Sequence, residues 1–418
     1  MVYRERSLTP CLVGLTRRFP VVVLSGARQV GKSTLVEHVL PDWRRVVLDP
    51  IIDVGNARAD PDLFLNNFPA PLIVDEIQYA PELIAAIKRT VDRSRVPGRY
   101  VLTGSQQWQV LKSASESLAG RAVFLDLDSF SLAELAERPF EPSLLERFLG
   151  NPIQLREDAR AAGPAAGAAH RRSARPLAEQ LWRGFLPDIQ TLEVEFVPDY
   201  QQAYFRSYVE RDIRHLADVA DWQQFGRFVR LAAALTAQEI NRSHLGREIG
   251  ITPQTAQRWL AMLTATFQWF EIPAFHANAI KRISSKPKGY MSDSGMVCYM
   301  QSISSPAALA GHPLFGALFE TAVVSELRKQ AATLSGQPKM YHWRSHGGSE
   351  LDLVLERDGT YYPVEIKLKS RPTRSDTRGI VAFRETYPSL QIAPGLVIHP
   401  GEEVMLLNEH DLAVPWDW

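Results

Sequence analysis

The stretch Val21-Val-Val-Leu-Ser25-Gly26-Ala-Arg-Gln-Val-Gly31-Lys32-Ser33-Thr34 decides the fold of this chain. An apolar run ends in a loop bounded by two glycines, and the residues after Lys32 favour helix. Strand, glycine loop and helix in that order make a phosphate-binding arrangement. Gly26 and Gly31 let backbone N–H groups turn inward around phosphate oxygens, and the helix N-terminus adds positive potential. The predicted nucleotide cradle is Gly26, Ala27, Arg28, Gln29, Val30, Gly31, Lys32, Ser33 and Thr34. Lys32 is placed to reach the β- and γ-phosphates of ATP, and Ser33 to ligate Mg²⁺.

Outward from this loop, Leu72-Ile-Val-Asp75-Glu76 is a second apolar run that ends in carboxylates. Asp75 is expected to hold Mg²⁺ through water, and Glu76 to polarise the attacking water. Arg99–Ser105 ends a third run with Thr103 and Ser105. Either hydroxyl could contact the γ-phosphate or the water before Glu76; a plain strand-to-turn ending is the alternative. Arg121 precedes the run Ala122–Leu125. It either projects into a neighbouring subunit's ATP, which implies a homo-oligomer, or makes a surface ion pair. With Arg45–Asp49, these runs alternate with helical stretches up to residue 140. That alternation predicts an α/β fold: a P-loop parallel sheet covered on both faces, over residues 1–140.

The segments GARQVGKST, LIVDEIQ, YVLTGS and SLAGR, in this order, resemble the AAA ATPases of bacteria and archaea that carry a C-terminal domain of unknown function, the 4143 family. Later segments extend the resemblance over essentially the whole chain: Tyr204–Arg214, Ser285-Lys-Pro-Lys288, Asp293-Ser-Gly295 and Val364-Glu-Ile-Lys367. The resemblance implies an additional-strand, glutamate-dependent NTPase core. The Ala- and Arg-rich stretch 161–175 departs from it and reads as an insertion.

The 418 residues allow two or three domains, each with its own core. Lys plus Arg and Asp plus Glu both number 47, so only local patches, not a global field, can favour nucleic acid. Two cysteines, Cys11 and Cys298, exclude a disulfide framework and a cysteine zinc site. No signal-like start and no apolar run near the ~20 residues of a membrane helix are present, so no membrane partner is expected and the setting reads as cytoplasmic.

Residues 141–180 read as a linker with a low-complexity insertion, mobile over roughly 155–178. Residues 181–300 read as helical. Within them Asn241–Leu263 resembles a helix-turn-helix: Leu245 and Ile249 form an apolar face, Gly250 permits the turn, and Thr252-Pro253 opens a second helix with Gln254, Gln257 and Arg258 outward. Lys281-Arg282 and Lys286-Pro-Lys288 would supply a wing over a nucleic-acid backbone. Residues 202–300 hold twelve Lys and Arg against eight Asp and Glu, which makes DNA a candidate partner. An ATPase lid or protein-contact module has the same pattern. Arg206, Arg211 and Arg214 either reach the nucleotide on lid closure or form an ion-paired helix face.

In residues 301–418, a helix over Leu314–Gln330 precedes strands at 339–344, 350–356 and 361–368. Asp358-Gly359 suits a two-residue hairpin turn. That register sets Asp352 opposite Glu365 and Glu350 opposite Lys367 on one face, with Leu351, Leu353, Val364 and Ile366 on the other. Carboxylates facing each other across a ladder repel, and a cation between them relieves this. The arrangement resembles the PD-(D/E)XK nuclease core, in which Glu320, Asp352 and Glu365 would bind a second Mg²⁺ and Lys367 would assist. Lys367 could instead neutralise the pair, or a longer turn could shift the register. The whole chain therefore reads as an ATPase acting on DNA with a nuclease-like end, or as an ATP-controlled binding switch whose nuclease-like domain does not cut.

Overall fold

The computed structural model describes residues 3–48, 54–105, 118–163, 173–207, 221–278, 285–345 and 347–418. The first region is a parallel sheet of β1 (Val21–Ser25), β2 (Arg44–Val47), β3 (Leu72–Asp75), β4 (Tyr100–Gly104) and β5 (Ala122–Asp126), in the order β2-β3-β4-β1-β5. Strand β4 pairs with β1 on one side and β3 on the other, so it stands between the two motif-bearing strands. This is the additional strand that the resemblance implied. The period of two sends Val22 and Leu24 to one core and Val21 and Val23 to the other, and each core is closed by helices.

Residues 141–163 correct the linker expectation. Leu144–Gly150 and Pro152–Ala162 are helices capped by Ser143 and Asn151, and Leu144, Leu145, Phe148 and Leu155 are buried in the main core. Apolar residues at helical spacing outweighed the alanine and glycine composition that follows them. Residues 164–172, most of the low-complexity stretch, lie outside the described residues.

In the middle region, Asn241 caps Arg242–Ile249 and accepts hydrogen bonds from the Ser243 and His244 N–H groups. Gly250, at φ +76°, ends that helix in the left-handed region, where a side chain is strained. Thr252 then caps Pro253–Ala265, with Pro253 in its first turn. Strands β6 (Gln238–Glu239), β7 (Trp269–Ile272) and β8 (Lys288–Met291) form an antiparallel sheet in the order β6-β8-β7 behind this helix pair.

The last region is a mixed sheet of β9 (Lys339–Arg344), β10 (Glu350–Arg357), β11 (Thr360–Ile366), β12 (Gln391–Ile392), β13 (Leu396–His399), β14 (Met405–Leu406) and β15 (Leu412–Pro415). Helix Phe315–Ala332 covers one face and helix Arg378–Thr386 the other. Asp358 and Gly359, at φ +51° and +78°, make the tight turn, and pairing from Arg357↔Thr360 to Leu353↔Val364 follows the two-residue register. The expected faces do not hold beyond Leu353. The β9–β10 ladder is irregular between Leu351 and Val354, so Leu351 joins Val354 and Phe383 on one face while Leu353, Val364 and Ile366 pack on the other.

The regions share one core, beside two smaller ones, of which one lies wholly in the first region. One apolar cluster runs from Leu8 and Val22 through Trp259 and Phe319 to Trp418. No described helix is long and apolar enough to cross a membrane.

Candidate nucleotide site and a buried carboxylate cluster

Helix Lys32–Val39 begins at Gly31, whose φ is +92°. A side chain at Gly26 would meet the Leu127 carbonyl oxygen at 2.2 Å, so only glycine fits where the loop leaves β1. Lys32 is buried under the loop, and its Nζ donates to the carbonyls of Gly26 at 2.9 Å and Ala27 at 2.7 Å. Arg28, Gln29, Val30, Gly31, Lys32, Ser33 and Thr34 line a cavity of about 500 Å³ that also takes in Glu76, Tyr3, Phe130 and Asp188. That volume lies within the range of small-ligand sites.

Asp75, 1% exposed, ends β3 beside this cavity. Burial pushes its carboxyl up, but hydrogen bonds from Thr103, Arg45 and Ser33 outweigh burial and hold it below the usual carboxylate range. Arg45 NH2 lies 2.7 Å from Asp75 Oδ2. The bond to Ser33 brings together the two groups expected to share Mg²⁺, and their oxygen donors suit that ion. Glu76 follows in the left-handed region, at φ +59°. Gln78 Nε2 donates to both Glu76 Oε2 and Ser105 Oγ, so Ser105 reaches Glu76 through Gln78. Thr103 bonds both Asp75 and the Glu76 N–H.

Arg121 stands elsewhere. β5 runs parallel to β1 with Val21 opposite Ala122, so Arg121 lies at the edge where β1 begins. The loop leaves the other edge, about 16 Å away across five residues. Arg121 Nε pairs with Asp92 Oδ1 at 2.5 Å. It does not belong to its own chain's nucleotide site. Arg206 lies on helix Val197–Ser207, whose last residue lines the cavity; Arg211 and Arg214 lie outside the described residues.

Three site residues escaped the sequence reading. Arg45 pairs with Asp75, Gln78 bridges Glu76 and Ser105, and Arg6 donates to the Val30 carbonyl of the loop at 2.6 Å. Only Gln78 had a local signal, two positions after Glu76.

The C-terminal carboxylates lie close together, but a residue read as part of a wing stands among them. Lys288 Nζ lies 2.5 Å from Glu320 Oε1 and 3.4 Å from Asp352 Oδ1. Burial opposes its charge, yet Glu320 and Asp352 outweigh burial and raise its pKa. Tyr290 donates to Glu320 Oε1 at 2.8 Å, and the Ile366 N–H donates to Asp352 Oδ2 at 2.9 Å. Lys367 pairs with Glu365 Oε1. Burial, and then the charge of Asp352, raise the carboxyl pKa of both Glu320 and Glu365. Among the described residues no three His, Cys, Asp or Glu side chains are grouped to hold a metal ion. This corrects two expectations. Lys288 points inward rather than toward a nucleic-acid backbone, because its alternate position on β8 faces the acidic cluster. Glu320, Asp352 and Glu365 do not form a metal-ready set, because Lys288 and Lys367 already pair with their oxygens. Lys286 is exposed, and Lys281 and Arg282 lie outside the described residues. Gln254, Gln257 and Arg258 are exposed on helix Pro253–Ala265, as expected.

Three family models match successive stretches of the chain. Residues 18–136 match the family model described as AAA domain. Residues 174–307 and 315–418 match two domains of unknown function, DUF8612 and DUF4143. Uncharacterized proteins of Mycobacterium bovis and Mycobacterium tuberculosis are each 29% identical over 420 aligned residues, covering 100% of this chain and 85% of the relative. Among solved structures, a Walker-type ATPase of Pyrococcus abyssi aligns with a TM-score of 0.42 and 12% identity, over 72% of this chain and 96% of that one.

Proposed function

We propose that this chain, an AAA-domain protein with a C-terminal DUF4143 region, hydrolyses ATP with Mg²⁺ and uses the cycle to act on DNA. One observation carries the reading of the nucleotide site. The inserted strand β4 sets Thr103 between Asp75 and Glu76, while Ser33 reaches Asp75 from the loop. Lys32, which now bonds two loop carbonyls, can turn the same ammonium to the β- and γ-phosphates. Ser33 and Asp75 would hold Mg²⁺, which when bound neutralises phosphate charge. Glu76 takes the proton of the attacking water, and Gln78 fixes the Glu76 carboxylate relative to Ser105.

The DNA part rests on the exposed Gln254, Gln257 and Arg258, presented on the second helix of a pair that has the helix-turn-helix pattern. A second reading, an ATP-controlled binding switch whose C-terminal region does not cut, is favoured by Lys288 among the carboxylates. One experiment separates the readings: ATP turnover with and without DNA, coupled to Mg²⁺-dependent cleavage of the same DNA. DNA-stimulated turnover supports the first reading. Turnover indifferent to DNA, with no cleavage, supports the switch. Lys32→Ala should abolish ATP binding measured by calorimetry, and unchanged affinity would refute the site itself.

A further inference from the structure

We infer that the cleft between the β7–β8 connection and strand β9 seats a DNA backbone, with Lys286 of the middle region and Arg344 of the C-terminal region as phosphate contacts. The inference rests on the DNA reading above and gives the C-terminal region a part in binding that does not depend on cutting.

The β7–β8 connection is fixed to the edge of the C-terminal sheet. Ala274 forms a parallel bridge with His342 of β9. The Phe275 N–H donates to the His342 carbonyl at 2.6 Å, and the His342 N–H to the Pro273 carbonyl at 3.0 Å. Phe275, 1% exposed, sets its ring edge-on among those of Tyr341, Tyr361, Phe383 and Tyr387. The returning arm is held as well. His342 Nε2 donates to the Lys286 carbonyl at 3.0 Å, and Ser285 Oγ lies 2.7 Å from His276 Nε2 across the two arms. Both walls of the cleft are therefore in place before any ligand arrives, which lowers the ordering cost of binding.

The cleft measures about 660 Å³, more than the nucleotide cavity, and has room for a stretch of polymer rather than a lone ion. Lys286 is exposed on one wall, and the Arg344 side chain is 55% exposed on the other. Asn278, Ser285 and Thr386 add groups that suit phosphate oxygens. Among the described lining residues the one carboxylate is Glu239, 3.7 Å from Arg344. So exposed a pair is worth little, and a phosphate can replace the carboxylate. The rings at the floor, Trp343 and Tyr387, pack against Phe383 and offer no open face for a base. That favours the backbone of a duplex over a stacked single strand. Glu239 also lies two residues before Asn241, which caps the first helix of the helix-turn-helix pair. The first helix of such a pair crosses the DNA backbone, so the cleft adjoins that crossing.

The test is fluorescence anisotropy of a labelled duplex of mixed sequence with the full chain, over a salt series. Arg344→Glu should bind about 5–10-fold more weakly at ~0.1 M salt and lose about one unit of salt slope. A second duplex of different sequence should show the same loss, because phosphates carry no sequence. Glu239→Gln should bind both duplexes more tightly than wild type, a gain that loss of a surface pair does not by itself produce. Both side chains lie at the surface, so the thermal midpoints should match wild type; if Arg344→Glu melts lower, Glu239→Gln decides. Wild-type affinity and slope in both variants, with binding weakened by Arg258→Ala, overturns the inference and leaves the DNA reading standing. A wild-type chain that binds neither duplex at any salt overturns both.

Discussion

Replacing Arg6 with alanine should damage the nucleotide site from behind, through contacts no motif contains. Arg6 is 3% exposed. Its NH1 donates to the Val30 carbonyl and its NH2 to the Asp128 carbonyl, both at 2.6 Å, while Nε lies 3.1 Å from Glu134 Oε1. The guanidinium also lies over the Phe130 ring, 4.9 Å from its centroid. Hydrogen bonds from a charged donor contribute ~1.5–3 kcal/mol each, and breaking a buried ion pair costs ~3–5 kcal/mol. These terms overlap, since Glu134 keeps the Ser7 and Ser131 N–H groups as donors. A total loss of about 3–5 kcal/mol follows. In a chain this long each kcal/mol moves the thermal midpoint by roughly 1–2 °C, so Arg6→Ala should melt about 3–10 °C lower. The Val30 carbonyl would lose its anchor, and ATP affinity measured by calorimetry should fall with stability. Arg6→Lys should recover less than half of the loss, because one ammonium cannot serve three separated acceptors. A midpoint within about 1 °C of wild type, with unchanged affinity, would show that Arg6 does not hold the loop.

Glu76→Gln should bind ATP with near wild-type affinity yet lose most turnover, because an amide cannot take the proton; wild-type turnover would point to another base. Arg121→Ala should lower turnover with little change in ATP affinity, and mixing it with Glu76→Gln should restore part of the activity if Arg121 serves a neighbour's site. Full activity of Arg121→Ala at every protein concentration would leave it as the partner of Asp92 alone. Lys286→Glu should weaken DNA binding and flatten its salt dependence by about one unit of slope for each lost phosphate contact, and a parallel slope would indicate a protein-contact face.

Where the candidate site is written in contiguous residues, its placement was open to reading. The Gly26–Thr34 loop, Asp75-Glu76 and the strand ending in Thr103 and Ser105 needed only the alternation of apolar runs to fall at one sheet edge. The Asp358-Gly359 turn likewise fixed five pairs of the β10–β11 register from two residues. The reading failed where partners are distant or periodicity breaks. An irregular ladder at Leu351–Val354 cannot be seen in a strand that alternates cleanly on paper. Lys288 looked like one more base in a basic segment. Only the fold shows that its alternate position faces Glu320, 32 residues later, and Asp352, 64 residues later. Charge composition described the segment and misassigned the residue.

The same distance effect hides how the two ends of the chain are joined. Helix Phe315–Ala332 meets the segment after β5 by three polar ties: Arg328 to Asp128 Oδ1 at 2.6 Å, Lys329 Nζ to the Phe130 carbonyl at 2.8 Å, and Glu326 Oε2 to the Leu132 N–H at 3.1 Å. Asp128 is also an Arg6 acceptor, and Arg6 holds Val30 of the phosphate loop. The helix that carries Glu320 into the carboxylate cluster is thus two side chains and one backbone segment away from the loop. Glu326 and Lys329 are buried, so breaking these ties exposes unpaired polar groups, and that penalty exceeds the worth of any surface contact. A shift of the loop around phosphate must therefore either carry this helix with it or be resisted by it. Because Lys288 clamps β8 to the same helix through Glu320, the middle region is joined to that motion as well.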